Sequence, residues 1–388
     1  MQGSPAVYGG EDVTARIAVL HNTLDFHGGA DAVCLTVCEA LQRDHDITLF
    51  TVSETAPATL ADRFDVSLSD IRVRMPPGAA AVAGALSDVA PWTGPQLALR
   101  SVLLERFFRS STAAFDLAVS TANELSLSIP SVQYIHYPQF HLHRLADGGP
   151  GRLNRLWSRL AGPSRSELAR EDTALLANSS WTATVVGDIY GTRPAVLHPP
   201  VDPIPCERAW EQREDGLVAV GRLAPDKQLL DVIRVVDAVR DRGYDLHLHV
   251  VGAAPRAYRR YAERVATAAN DRSYVSLERD VSRDRLEQLL CTHKYGLNMK
   301  HGEHFGMVVA EYVAAGMVAF APASGGQQDV LRNRHDRLFD SLDEAVALVT
   351  RAMAADEPPE LQPDRFAREQ FQTSLRRYVD DSLAVLNY

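Results

Sequence analysis

The stretch "KHGEHFGMVVAEYVAAG" (residues 300–316) places two carboxylates, Glu303 and Glu311, eight positions apart around Gly306 and an apolar helical face. A buried structural helix has no use for Glu303 beside His304 and Phe305, whereas a helix whose first turn faces a ligand does. The pattern predicts a helix beginning near Phe305 or Gly306. The backbone N–H groups of His304, Phe305 and Gly306 would then be free donors, with Met307 and Val308 next in the same ligand-facing turn. Carboxylates accept paired hydroxyl hydrogen bonds, so Glu303 suits a sugar ring and Glu311 a ribose diol. The plainer alternative makes Glu303 a capping acid and Glu311 a surface residue. Against it, Glu311 lies between Ala310 and Tyr312 in a mostly apolar helix, a costly place for an unpartnered charge.

A second stretch, "VGRLAPDKQLL", sets Arg222 after a strand and Lys227 at the start of the next helix. Two fixed cations beside a helix N-terminus suit a diphosphate. The alternative is a strand-end arginine and a solvated lysine. Lysine occurs only at Lys227, Lys294 and Lys300 in a chain that otherwise uses arginine, which favours the functional reading of Lys227.

The elements that position these residues form two similar halves. "RIAVLHNT" (16–23) reads as a strand, Gly28–Gly29 as a turn, "ADAVCLTVCEALQRD" as a helix and "DITLFTV" (46–52) as a second strand. That is the opening of a doubly wound α/β domain. "FDLAVSTAN" and "SVQYIHYP" read as later strands ending in polar residues. "HPPVDPIPC" (198–206) reads as a linker, after which the pattern restarts with the strand "DGLVAVGRL", a helix stopping at Gly243 and the strand "DLHLHVVG". The helix "SRDRLEQLLCTH" and the strands "YGLNMK" and "MVAFAPA" follow. An amphipathic helix from "PDRFAREQFQTSLRRYVDDSLAVLNY" closes the chain and could brace the first half. The expected bounds are 1–199, 200–364 and 365–388, with the ligand cleft at the strand carboxyl ends.

Composition bounds the function. The 388 residues are 46% hydrophobic and 23% charged, with no run long enough to span a membrane. A net charge of −10 argues against a general nucleic-acid binder. The opening residues carry acids and lack a basic flank with an apolar core, so no signal peptide is expected, and the protein should be cytoplasmic, free or peripheral. Cys34 and Cys38 fall one helical turn apart as small core residues, and disulfides among the four cysteines are not expected in that compartment. The histidines His136, His141 and His143 lack a cysteine or carboxylate at ligand spacing. His247 and His249 alternate along a strand and should pack one face, and "DHD" (44–46) lies at the wrong strand end for a metal motif. The stretches 151–170 and 91–109 carry arginines beside apolar stripes. They are solvated helices or contacts to anionic lipid.

"GEHFGMVVAEYVAAG" followed by "ASGGQQDVL" resembles the E-x7-E signature of retaining GT-B glycosyltransferases of the glycogen-synthase-like group, commonly called family 4. It is especially similar to the dolichol-linked oligosaccharide α-1,2-mannosyltransferases and their prokaryotic relatives. "VGRLAPDKQ" resembles the group's donor-phosphate motif, and "YIHYP", "NSSWT" and "HPPVD" its first-domain and hinge markers. Gln327–Gln328 depart from the Pro or acidic residue usual there. The resemblance implies two facing Rossmann-like domains, acceptor-binding then nucleotide-sugar-binding, with the last helix returning to the first. It implies that Arg222 and Lys227 neutralise the donor diphosphate, Glu303 and the amides after it hold the transferred sugar, and Glu311 holds the ribose. Gly28 and Gly29 would approach the phosphates closely, and His136 would sit beside the reacting sugar. On this basis Glu303, His136, Arg222 and Lys227 are the expected catalytic residues. The expected reaction is retaining transfer of a hexose, mannose from GDP-mannose, onto a lipid-linked or growing glycan. Attack comes from the same face, and preorganised cations make a metal or other cofactor unnecessary. Alternatives are a UDP-sugar transferase on a lipid or small molecule, a GT-B epimerase or phosphorylase, and a non-catalytic sugar-nucleotide binder.

Overall fold

Runs of Val, Leu, Ile and Ala flanked by polar turns form parallel strands buried on both faces, and helices make the crossovers between them. The computed structural model describes residues 14–69, 71–79, 81–85, 96–144, 156, 157, 159, 161–255, 258–360 and 363–385. Residues 1–13, the side chain of His143 and parts of both arginine-bearing stretches lie outside the described residues.

The first sheet contains β1 (Arg16–His21), β2 (Asp46–Thr51), β3 (Ile71–Arg74), β4 (Leu117–Ser120), β5 (Ser131–Ile135), β6 (Thr173–Ala177) and β7 (Ala195–Val196). Its spatial order is β3-β2-β1-β4-β5-β6-β7, and its strand pairs are parallel. The second sheet contains β8 (Glu214–Val220), β9 (His247–Gly252), β10 (Val275–Arg279), β11 (His293–Leu297), β12 (Val318–Pro322) and β13 (Leu338–Phe339). Its order is β10-β9-β8-β11-β12-β13, also parallel. Each order reverses once, between β1 and β4 and between β8 and β11. Such reversals open crevices at the strand carboxyl ends. The two sheets and their helices are two Rossmann-like domains.

The helix Arg368–Ala384 turns back onto the first domain. Phe371, Leu375 and Val379, spaced four apart on one face, are buried in the same core as Cys34, Cys38 and Leu41. Arg376 Nε donates to the carbonyl of Ala40 at 3.0 Å, and Gln372 Nε2 to Glu39 Oε2 at 2.7 Å. The chain thus crosses between the domains twice. No helix among the described residues is long and apolar enough to cross a membrane.

Three readings are corrected. The helix expected through His293 stops at Thr292, and the strand expected to reach Lys300 ends at Leu297. Gln327, fully buried, draws the chain off the sheet there: its Nε2 donates to the carbonyls of Lys300, Pro322 and Ser324, and its Oε1 accepts from Asn298. The departure at Gln327 is therefore a structural tie. The short edge strands β3, β7 and β13 carry no apolar alternation long enough to be seen in sequence. Last, Cys206 and Cys291 form a disulfide with Cα atoms 5.1 Å apart. The linker lies against the end of the helix Arg283–Thr292, a proximity that separation by 85 residues conceals. Cys34 and Cys38 are free and buried.

Two outcomes test this architecture. Alkylation of the denatured protein without reductant should label only Cys34 and Cys38, and all four cysteines after reduction; four labelled thiols in both samples would remove the bridge. Leu375→Ala should cost about 2–5 kcal/mol in urea unfolding, because it opens a cavity between the last helix and the first domain; an unchanged midpoint would mean the helix is undocked.

Candidate active site

After β8 the chain passes Gly221 and Arg222 and turns through Pro225–Lys227. Gln228, at φ 50°, redirects it into the helix Leu229–Arg240. This turn folds Lys227 back over Gly221 and into the cleft. Its Nζ lies 2.8 Å from Glu303 Oε2. Lys300 reaches the same carboxylate oxygen at 3.8 Å and Asp226 at 3.4 Å. The two chemistry-bearing stretches therefore meet at one point. Burial alone would raise the Glu303 pKa, but Lys227 and then Lys300 reverse the shift and bring it to about 2. Arg222 behaves differently. Its side chain is 56% exposed and pairs with Asp226 at 3.6 Å, so it stands at the rim while Lys227 occupies the interior.

The helix Met307–Ala314 begins one or two positions later than its sequence suggests. Gly306, at φ 102°, holds the left-handed conformation that starts it, and a Cβ there would press on Gln327 at 3.0 Å. Across the cleft the helix Gly29–Leu41 starts directly opposite. A Cβ on Gly29 would lie 3.2 Å from Met307 Cγ. Gly28 precedes it with its N–H donating to Asp31 Oδ2 at 3.0 Å. Two helix N-termini, each with unpaired N–H groups and partial positive charge, thus converge from opposite domains beside Lys227 and Lys300. Such a convergence suits an anion. Glu311 is not free: Arg283 Nη1 lies 2.5 Å from its Oε1, and Arg283 also pairs with Glu287 at 2.6 Å. A diol bound at Glu311 would share it with that guanidinium.

The first domain adds a cavity of about 130 Å³ lined by His21, Asn22, Thr23, Phe26, His136 and, from the second domain, His304. Pockets for whole drug-sized ligands run to several hundred Å³, so this volume accommodates one end of a ligand. The His136 backbone N–H donates to Asn123 Oδ1 at 2.7 Å, and its Nε2 has no partner among the described residues. Burial lowers its pKa to about 3, so the ring is neutral and its position suits a hydrogen bond to a ligand. His21, fully buried, lies 3.0 Å from Thr121 Oγ1 and 3.1 Å from Asp31 Oδ1. Burial works against charge on His21, yet Cys34 and Asp31 outweigh it and raise its pKa above the ordinary imidazole range.

His304 joins the halves. Its ring stacks on Tyr137 with centroids 4.6 Å apart and lies parallel to Trp181 at 6.1 Å. Its carbonyl accepts from Ser179 Oγ at 2.6 Å. Nearby, Asp329 accepts from the Ser180 backbone N–H at 2.6 Å and lies 3.3 Å from His198. Phe305 is buried between His198 and Phe366. Met307 and Val308 are half-buried at the helix start. Sequence reasoning assigned His304 a backbone role only and missed Lys300, His21, Asp31 and Asn123. The scarcity of lysine was a usable signal for Lys300; the other three are recognisable only once β1, β4 and the helix after Gly29 are packed.

Residues 205–368 match the family Glycosyl transferases group 1, and the second domain is a glycosyl transferases group 1 domain. It is set in a two-domain fold of GT-B type, shared with a sucrose-phosphate synthase from Thermosynechococcus elongatus at TM-score 0.65 and 15% identity over 96% of this chain and 100% of that one. Anabaena HepE, solved with UDP and glucose, has TM-score 0.61 and 14% identity over 95% of this chain and 100% of that one. Among curated proteins, a GDP-Man:Man(3)GlcNAc(2)-PP-Dol alpha-1,2-mannosyltransferase from Candida glabrata is 23% identical over 51% of this chain and 44% of its own length. Its Dictyostelium discoideum counterpart is 22% identical over 53% and 46%. The chain spans a little under half the length of these relatives.

The His304 environment makes a pH prediction. Burial first, then Lys300 and Lys227, lower its pKa to about 4 despite Glu303, whereas an unfolded histidine titrates near pH 6.5. The unfolded chain binds more protons between those values, so this contribution to stability is complete above about pH 6.5 and lost as pH falls through about 4. Urea midpoints should fall more steeply across that window in the wild type than in His304→Phe. Parallel curves would contradict the assignment.

Proposed function

We propose that this protein is a retaining glycosyltransferase that moves mannose from GDP-mannose onto a lipid-linked or growing glycan, with no metal or other cofactor in the transfer. The observation that carries the reading is the convergence of Lys227, Lys300 and two opposed helix N-termini around Glu303. A donor diphosphate would lie against those cations and amides, with Arg222 at the rim. Glu303 would hold hydroxyls of the transferred sugar, and Glu311 with Arg283 the ribose. In the step itself the bond from the sugar's anomeric carbon to the phosphate oxygen breaks, and the acceptor hydroxyl oxygen bonds to that carbon from the same face. The proton passes to a departing phosphate oxygen, and the nucleoside diphosphate leaves. Positive charge in a water-poor cleft stabilises the negative charge that develops on the leaving group. His136 and the first-domain cavity would receive the acceptor end. The choice of GDP-mannose is supported by the names of the curated relatives. We place the protein in the cytoplasm, meeting a lipid-linked acceptor at the membrane surface.

The test has two stages. Saturation with GDP or GDP-mannose at a hundredfold its Kd should stabilise the fold by about 2.7 kcal/mol, with a smaller response to UDP and UDP-glucose. Stabilisation by UDP ligands alone would overturn the donor. Radiolabelled mannose should then appear on a polyprenyl-linked oligosaccharide at an initial rate unaffected by added Mg²⁺ or Mn²⁺. Lys227→Ala should lower that rate by about a hundredfold or more in protein that keeps the wild-type circular dichroism spectrum. Near wild-type turnover in that variant would remove the mechanism.

A further inference from the structure

At the amino ends of the second sheet's strands, opposite the cleft, three imidazoles converge. His247 and His249 start β9, and His293 starts β11. Strand β8 runs between them, and Gly216 is paired with His247 in its register. A Cβ on Gly216 would lie 2.2 Å from His293 Cδ2 and 2.4 Å from His247 Nε2. Only a glycine leaves room for both rings. One ring nitrogen from each histidine lies within 4.8 Å of those of the others. Nitrogens on a tetrahedral zinc stand roughly 3.4 Å apart, a gap that small side-chain rotations close.

Hydrogen bonding fixes which nitrogens are available. His293 Nδ1 lies 2.7 Å from the carbonyl of Leu289, which can only accept, so Nδ1 carries the proton and Nε2 the lone pair. That Nε2 belongs to a side chain only 3% exposed and has no hydrogen-bond partner among the described residues. His249 Nδ1 lies 2.8 Å from Glu278 Oε1. Glu278 is itself paired with Arg285, whose Nε and Nη2 donate to its two oxygens at 2.8 and 2.9 Å. Nδ1 of His249 therefore donates, and its Nε2 is the free atom. A carboxylate that takes one imidazole proton and turns the other nitrogen outward is the arrangement that orients metal-binding histidines. Glu214, half-exposed, supplies an oxygen 3.5 Å from His247 Nε2 and 3.8 Å from His293 Nε2.

We propose that His247, His249, His293 and Glu214 form a binding site for one divalent transition-metal ion, zinc by preference, which staples β8, β9 and β11 at the edge remote from the cleft. Three imidazoles with one carboxylate are a donor set suited to zinc, and neither magnesium nor calcium favours nitrogen. The seven residues of β8 separate the site from Arg222 by roughly 20 Å, so the ion takes no part in sugar transfer. His247 and His249 do share one face of β9, as expected, with ring centroids 5.6 Å apart. The third histidine lies 44 residues past His249 in sequence, and Gly216 between them gave no sign of its purpose.

The test uses tag-free full-length protein stripped by chelator and titrated with Co²⁺. One equivalent should produce the visible absorption of a four- or five-coordinate cobalt site, and Zn²⁺ should abolish it. His247→Ala and His249→Ala should each remove the band, and Glu278→Ala, which touches no metal, should weaken binding by about ten- to a hundredfold. Because Glu278 and His247 are partly exposed, their variants should stay folded by circular dichroism, and their nucleotide response should match the wild type. A sample that stays colourless at millimolar Co²⁺, or a band that persists in the His247→Ala/His249→Ala double variant, would overturn the site.

Discussion

An ionised carboxylate between two domains is expensive unless cations meet it there, and that constraint organises the cleft. Glu303 lies 2.8 Å from Lys227 and 3.8 Å from Lys300, and its pKa near 2 reflects their charge overcoming its burial. To deliver Lys227, β8 must end at Val220, the chain must turn through Pro225–Lys227, and Gly221 must leave space for the lysine stem. To deliver Glu303, β11 must end early and Gln327 must tie the following loop. Each of these local features makes sense only as support for the same charge cluster.

The same loop couples the domains. Glu303 faces the cations of its own domain, while the next residue, His304, stacks on Tyr137 and accepts from Ser179 in the other. Gly29 and Met307 bring two helix starts into contact from opposite sides. An anion placed in this position would touch both domains at once. The helix Arg368–Ala384, which returns to the first core, and the Cys206–Cys291 bridge, which ties the linker to the second domain, limit the ways the halves can separate.

Charge and space are handled differently at the two ends of the second sheet. At the carboxyl end lysines converge on an acid in a cleft, and at the amino end histidines converge over a glycine. Parallel strands make this possible, because every strand start falls along one edge and every strand end along the other.

The sequence by itself determined the repeated strand–helix pattern, the amphipathic last helix and the place of Lys227 just ahead of a helix. These are written in apolar periodicity and turn residues over short spans, and physical chemistry reads them locally. Only the tertiary structure decided that Lys300 shares Glu303 with Lys227, that Arg222 stands at the rim, and that Glu311 is already paired with Arg283. It alone joined Cys206 to Cys291 and set His293 beside His247 and His249. The physical reason is the same in each case. These contacts join residues from separate strands and loops, and a parallel crossover fold sets such distances by packing, which no spacing along the chain encodes.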